Sequence, residues 1–242
     1  MDLSRPHDLS IHLDPGGAQP SFFADSPAVA EDLRLGDFVG SVHRGGSCNA
    51  QLLRFAPHCH GTHTECVGHL MAQPMDVLST IETRPCPARL ATVRQERIHG
   101  TPELTLEAIR SAVAEADHAT ALIIRTLPNS PDKRYRDYAA EPAYPVIAED
   151  GMRWLRDGPW VHLLIDTPSL DPASDGGRLL NHRLWWGLDD RGPGHASQRS
   201  VTEMIYVPDE VPDGDYWLDL QLQPLVADAV ASRPVIYPVI SP

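Results

Sequence analysis

Two apolar runs constrain what this 242-residue chain can fold into. Residues 119–126 (Ala-Thr-Ala-Leu-Ile-Ile-Arg-Thr) and 161–166 (Val-His-Leu-Leu-Ile-Asp) are continuous rather than alternating, and both are of strand length. Such runs suit strands buried on both faces. Residues 101–116 read as a helix, because Leu106, Ile109 and Val113 recur at helical spacing and Thr105 is a cap candidate. Residues 145–157 read as a second helix. Shorter strands are predicted at 8–13, 88–98, 199–207, 215–223 and 234–240. Residues 36–43 and 47–55 are predicted to pair across Arg44-Gly-Gly. The 23 prolines are spread along the chain, as turns and strand ends require, rather than gathered into a disordered tract. No internal repeat or low-complexity linker interrupts the pattern. The expectation is one mixed α/β domain over residues 1–242.

Charge and cysteine usage narrow the function classes. The formal net charge is -13, with no basic stripe to meet phosphates, so a nucleic-acid partner is excluded and an anionic membrane surface disfavoured. Cys48, Cys59, Cys66 and Cys86 form no Cys-x-x-Cys pair and demand no disulfide framework. The first residues lack the basic-then-apolar layout of a signal peptide. No apolar run approaches the ~20 residues that span a bilayer. A cytoplasmic protein acting on a small molecule is expected.

Chemistry concentrates in Pro57-His-Cys-His-Gly-Thr-His-Thr-Glu-Cys-Val-Gly-His69, which holds His58, His60, His63, His69 and Glu65. Imidazole and carboxylate are the usual ligands of Zn²⁺, Mn²⁺ and similar ions. His63 and Glu65 are two apart, so an extended chain turns both to one side. Gly68 allows a turn before His69, and Gly61 allows a close backbone approach. A lone histidine is more simply a packed or solvated residue; this density just after a strand favours a site.

The segment resembles the signature of the cyclase family of metal-dependent hydrolases, which includes kynurenine formamidases and isatin hydrolases. That signature reads His-x-Gly-Thr-His-x-Asp-x-Pro-x-His, and Gly61, Thr62, His63 and His69 match it in place. Asp8-Leu-Ser, Ile124-Arg-Thr and Ile165-Asp-Thr-Pro-Ser-Leu-Asp-Pro agree in order, followed by His182 and by Thr202-Glu203. The resemblance implies a swivelling β/β/α fold and one or two divalent metals, Zn²⁺ or Mn²⁺. Carried over, His63, Glu65, His69, His182 and Glu203 are metal-site residues. It also implies a homo-oligomer, dimer or tetramer. The chain departs from the signature at Glu65 for Asp, Val67 for Pro, and Cys59 for the first His. His58, Cys59 or His60 could supply that first ligand. His58 is favoured, because an extra residue can be absorbed before Gly61.

Asp166, Ser169 and Asp171 read as structural supports. Phe22, Phe23, Trp185 and Trp186 could line a substrate pocket, although core packing accounts for them more simply. The reaction implied is hydrolysis of a carbon–nitrogen amide bond in a formamide, lactam or cyclic imide, with metal-activated water and with His69 or His182 passing the proton. No Gly-x-Ser-x-Gly elbow suggests a serine nucleophile. The rival readings are a non-catalytic metal-binding homologue and a secondary-metabolism cyclase or dehydratase.

Overall fold

The computed structural model describes residues 1–24, 26–82, 84–113, 116, 118–138, 140, 143–188 and 198–240. The strands in chain order are β1 (His7–Asp8), β2 (Val29–Asp32), β3 (Arg34–Leu35), β4 (Phe38–Val39), β5 (Gln51–Arg54), β6 (His63–Glu65), β7 (Cys86–Arg94) and β8 (Glu96–Ile98). They continue with β9 (Thr101–Leu104), β10 (Ala121–Leu127), β11 (Val146–Ile147), β12 (His162–Ile165), β13 (Ser200–Glu203), β14 (Gly214–Leu222) and β15 (Ala229–Pro238). The α-helices are α1 (Val77–Thr80), α2 (Leu106–Val113), α3 (Glu149–Asp157) and α4 (Leu180–Trp185).

The main sheet runs β1-β15-β14-β7-β10-β12-β13-β6. It closes on itself because β6 also pairs with the start of β15, Ala229 opposite Glu65 and Ala231 opposite His63. The far end of the same β15 edge takes β1. The result is a mixed, barrel-like ring of seven strands with helices packed outside.

The two apolar runs lie at the centre of this sheet as β10 and β12, paired in parallel. Their period-2 alternation supplies both layers at once. Ala121, Ile123 and Leu164 face a cluster with Leu90, Leu218, Ile236 and Tyr216. Leu122, Ile124, Leu163 and Ile165 face the helices, meeting Ile109 and Val113 of α2, Met152 and Leu155 of α3, and Trp185. No helix among the described residues is long and apolar enough to cross a membrane.

Three expectations need correction. Residues 36–43 and 47–55 do not pair. After the two-residue β4 the chain enters a 3-10 turn and reverses at Gly45, whose φ of 87° is left-handed. β5 pairs instead with β2, leaving β3 and β4 as a separate short hairpin. Residues 101–104 are strand rather than helix. They form a hairpin with β8, with His99 and Gly100 both at positive φ. The helix starts at Leu106, where Thr105 Oγ1 accepts from the Ala108 amide as a cap should. Residues 114 and 115, at the end of the expected helix, lie outside the described residues. The helix expected at 145–157 is α3 alone, its first residues forming β11 beside β9.

Candidate metal centre

The site lies where β6 is wedged between β13 and β15. β6 is antiparallel to β13, with His63 directly opposite Glu203. His63 and Glu65 share one face of β6, as their spacing requires, and both are buried. Gly61, at φ +81°, turns the chain into this strand in a conformation that L side chains avoid. After β6 the chain passes Gly68, where an added Cβ would lie 2.1 Å from the Met75 carbonyl oxygen. That close backbone approach holds the 3-10 turn carrying His69.

The side chains converge tightly. Glu65 Oε1 lies 2.8 Å from His182 Nε2, and Glu65 Oε2 lies 3.1 Å from His58 Nδ1 and 3.9 Å from His69 Nδ1. His63 Nε2 is 3.4 Å from Glu203 Oε2, and His182 Nε2 is 3.3 Å from Glu203 Oε1. Thus Glu65, with its extra methylene, still reaches imidazoles on two sides. His182 comes from α4, the Leu170 amide donates to Glu203 Oε1 at 2.8 Å, and Trp186 stacks 5.5 Å from the His182 ring.

Two of the rings have fixed orientations. His63 Nδ1 donates to the Gly61 carbonyl at 3.1 Å, which turns an Nε2 lone pair toward Glu203. His182 Nδ1 lies 2.6 Å from Asp171 Oδ2, which directs its Nε2 at Glu65. Asp171 therefore does more than shape its loop. It accepts from the Asn181 and His182 amides at 2.7 and 3.2 Å and so places the start of α4.

Electrostatics favour positive charge here. Burial alone would raise the Glu65 carboxyl, but facing His182, with His58 and His69, holds it well below the ordinary carboxylate range. Burial likewise opposes ionisation of Glu203, and the facing His182 and His63 imidazoles outweigh that and lower it. Burial disfavours a charged His182, yet Glu65, Asp171 and Glu203 raise it well above the usual imidazole value. His58 is pushed up to about 10, because its bonds to Asp228 and Glu65 overcome burial.

Of the three candidates for the first ligand, His58 joins the cluster. Both nitrogens of the His60 ring are engaged by backbone groups, at Ala56 and at the Ser26 carbonyl. Cys59 belongs to none of the ligand-forming groups found among the described residues, which are His58-His63-Glu65, His58-His69-Asp228 and Glu65-His182-Glu203. Asp228 is the residue that sequence reasoning missed. Its Oδ2 lies 2.9 Å from His58 Nε2 and 3.4 Å from His69 Nδ1. No spacing motif marks it; only the closure of β15 onto β6 delivers it.

Of the expected pocket residues, the structure buries Phe22 and Trp185 and leaves Phe23 exposed. Trp185 has no exposed surface, packs in the core and donates from Nε1 to the Ser200 carbonyl. It presents nothing to a substrate, and the tryptophan against His182 is Trp186. Phe22 is buried with Tyr138 and Tyr144, while Phe23 is 68% exposed.

A ligand test follows from the buried polar atoms. His63 Nε2, His182 Nε2 and both Glu65 oxygens are buried and make no aligned hydrogen bond, although imidazole and carboxylate face one another at 2.8–3.4 Å. Each such group costs about 1–3 kcal/mol, more when charged, unless something satisfies it. Donor atoms sharing a tetrahedral ion at ~2.0–2.1 Å lie roughly 3.3 Å apart. The His63–Glu203, His182–Glu203 and His69–Asp228 distances of 3.4, 3.3 and 3.4 Å match that edge, and His182–Glu65, His58–Asp228 and His58–Glu65, at 2.8, 2.9 and 3.1 Å, are tighter than it. The residues fit a divalent metal.

A model of the Cyclase family, described as "Putative cyclase", matches residues 2–172. The structure is similar to one described as a predicted metal-dependent hydrolase from Bacillus stearothermophilus, at 16% identity over 96% of this chain and 97% of that one, with a TM-score of 0.63. It is similar to an isatin hydrolase bound to the product analogue thioisatinate, at 17% identity over 97% and 92% of the two chains, TM-score 0.65. Isatin hydrolase A from Ralstonia solanacearum aligns at 16% identity over 96% and 91%, TM-score 0.65. At these identities the likeness shows the shared fold. No curated protein matches the chain.

Proposed function

Because the chain belongs to the Cyclase family, we propose that it is a metal-dependent hydrolase cleaving a carbon–nitrogen amide bond in a formamide, a lactam or a cyclic imide. The observation that carries this reading is that His63 Nε2, His182 Nε2 and both Glu65 oxygens, buried without an aligned hydrogen bond, belong to two ligand-forming groups that share Glu65. His63, Glu65, His182 and Glu203 would hold a divalent ion, Zn²⁺ or Mn²⁺, with His58 and His69 at the mouth. When bound, the ion supplies Lewis acidity that activates a water and polarises a carbonyl oxygen.

The chain's own residues prepare that chemistry. Asp171 and the Gly61 carbonyl engage the Nδ1 sides of His182 and His63 and direct Nε2 inward, the partnership that raises ligand basicity; a bound ion would take the place of the Nε2 proton that the surrounding carboxylates favour on His182. Trp186 and the core behind it close the inner wall against water. His58 and His69 are partly exposed, so a small substrate reaches the ion from their side. A ligand nitrogen has no proton to give. We therefore assign His182 to holding the ion, and leave the proton transfer to His69 at the mouth.

A homo-oligomer is also proposed. Leu35, Val42, Leu52 and Leu53 stand exposed on the segment that carries β3 to β5, which suits contact with a second copy.

The test is a screen of formamides, lactams and isatin-type imides with metal-loaded protein, read by product mass. Gain of water by one class supports the proposal. Metal-loaded protein that hydrolyses none of them would overturn it, and loss of water would favour a dehydratase.

A further inference from the structure

Lys133 is a buried cation that the chemistry of the metal centre leaves unused. It sits on the 3-10 turn Pro131–Arg134, past the end of β10, and its side chain is 7% exposed. Nζ donates to Asp166 Oδ2 at 2.7 Å and to the carbonyl and Oγ1 of Thr126 at 2.9 Å each, with Asn129 Oδ1 3.3 Å away. Asp166 Oδ2 also accepts from the Thr126 amide at 2.9 Å, while the other Asp166 oxygen is buried and makes no hydrogen bond. One ammonium thus ties the end of β10 to the residue that follows β12. A buried ion pair is a weak way to stabilise a fold, because desolvation of the two charges offsets their attraction and an apolar pair of similar size does as well. The arrangement that the pair holds explains its use here better.

Asp166 opens a loop, residues 166–171, that is buried throughout yet belongs to neither helix nor strand. Its polar groups must therefore find partners inside the protein. Three of them find those partners at the metal centre or next to it. The Thr167 carbonyl accepts from the Met204 amide at 2.9 Å, the Leu170 amide donates to Glu203 Oε1 at 2.8 Å, and Asp171 Oδ2 faces His182 Nδ1 at 2.6 Å. The same short loop grips Glu203 and His182, and Lys133 fixes where that loop begins. We propose that Lys133 is a positioning residue for the metal centre, acting through Asp166 and the 166–171 loop on Glu203 and His182. This rests on the reading of the inner cluster as a metal centre. The Lys133 ammonium is no metal ligand, so its loss removes no donor atom from the site. It releases the loop at Asp166 and leaves a buried carboxylate without its counter-charge. Glu203 and His182 then lose the shared alignment that one ion requires of both.

The rival role for Lys133 is to stabilise the fold and nothing more. Lys133→Met keeps most of the side-chain length and removes the charge. The double variant Lys133→Met with Asp166→Asn removes both charges, which relieves the uncompensated carboxylate while the ammonium's hold on the loop stays absent. Full-length proteins, stripped with chelator, are titrated with Zn²⁺ against a chromophoric chelator, and with Co²⁺, whose visible absorption reports ligand geometry. Denaturant unfolding of the metal-free proteins gives their stabilities, and circular dichroism verifies their folds. Both variants should bind Zn²⁺ about 10-fold or more weaker than wild type, with an altered Co²⁺ spectrum. The double variant should do so at a stability closer to wild type than that of Lys133→Met. If Lys133→Met does not fold, the double variant carries the test. A folded variant that binds Zn²⁺ within about twofold of wild type and keeps its Co²⁺ spectrum would overturn the positioning role while leaving the inner centre standing. No ion in wild type would overturn both.

Discussion

Replacing Asp171 by asparagine asks whether the geometry around His182 serves a metal or only a helix. Asp171 Oδ1 accepts from the Asn181 amide at 2.7 Å; Oδ2 accepts from the His182 amide at 3.2 Å and faces His182 Nδ1 at 2.6 Å. Asparagine keeps one oxygen. If that oxygen stays on the Asn181 amide, the new NH₂ points at two His182 donors. The ring escapes by moving its proton to Nε2, where Glu65 lies 2.8 Å away to receive it. The protein tolerates that switch, but a ligand nitrogen has become a donor. The remaining stability loss is one buried backbone donor, about 1–3 kcal/mol. Loss of such a supporting carboxylate typically weakens metal binding 10–100-fold, or about 1.4–2.7 kcal/mol. Competition with a chromophoric chelator at fixed pH measures the affinity, and denaturant unfolding of the metal-free protein measures the stability. A variant that loses stability but binds metal within about twofold of wild type would refute the reasoning and leave Asp171 as a helix-positioning residue alone.

Other predictions follow from the same contacts. Thr62→Val removes a buried hydroxyl that donates to the Met204 carbonyl and accepts from the Ile11 amide; unfolding should show a loss of about 2–6 kcal/mol from the two stranded groups. Ile123→Ala, at a fully buried position in the ring's interior, should cost about 2–5 kcal/mol in denaturant unfolding without changing metal stoichiometry. His162 is buried against Ser200 Oγ, and burial pushes its pKa down to about 4. The unfolded chain then binds the extra proton between pH 6.5 and 4, so this stability is present above pH 6.5 and falls as pH drops. The His162 contribution, read as wild type minus His162→Asn, should shrink by roughly 3 kcal/mol from pH 7 to pH 4; a pH-independent difference would contradict it.

What was legible in the sequence was local. The runs that became β10 and β12 are apolar on both faces because layers cover them on both sides, and such coverage leaves a continuous signal. His63 and Glu65 share a face because strand period requires it. What escaped was set by long-range pairing. Residues 36–43 carry strand-forming types, but Gly45 turns the chain back, and β5 finds β2 rather than its neighbour in sequence. Residues 101–104 continue the helical pattern of 106–113, yet the positive-φ pair His99-Gly100 folds them back on β8. Asp228 sits 163 positions after Glu65 and meets it only through ring closure, which no spacing rule contains. Trp185 and Trp186 are adjacent, and only the packing of α4 decides which one meets His182.

Metal content per chain is the most direct test of the central claim. It is measured by elemental analysis on protein purified without chelator and without a metal-affinity tag, before and after reloading with Zn²⁺ or Mn²⁺. The account predicts at least one tightly held equivalent, lost in His63→Ala while the far-ultraviolet circular dichroism is retained. Protein that binds neither ion after reloading, or a His63→Ala variant with undiminished metal, would contradict it.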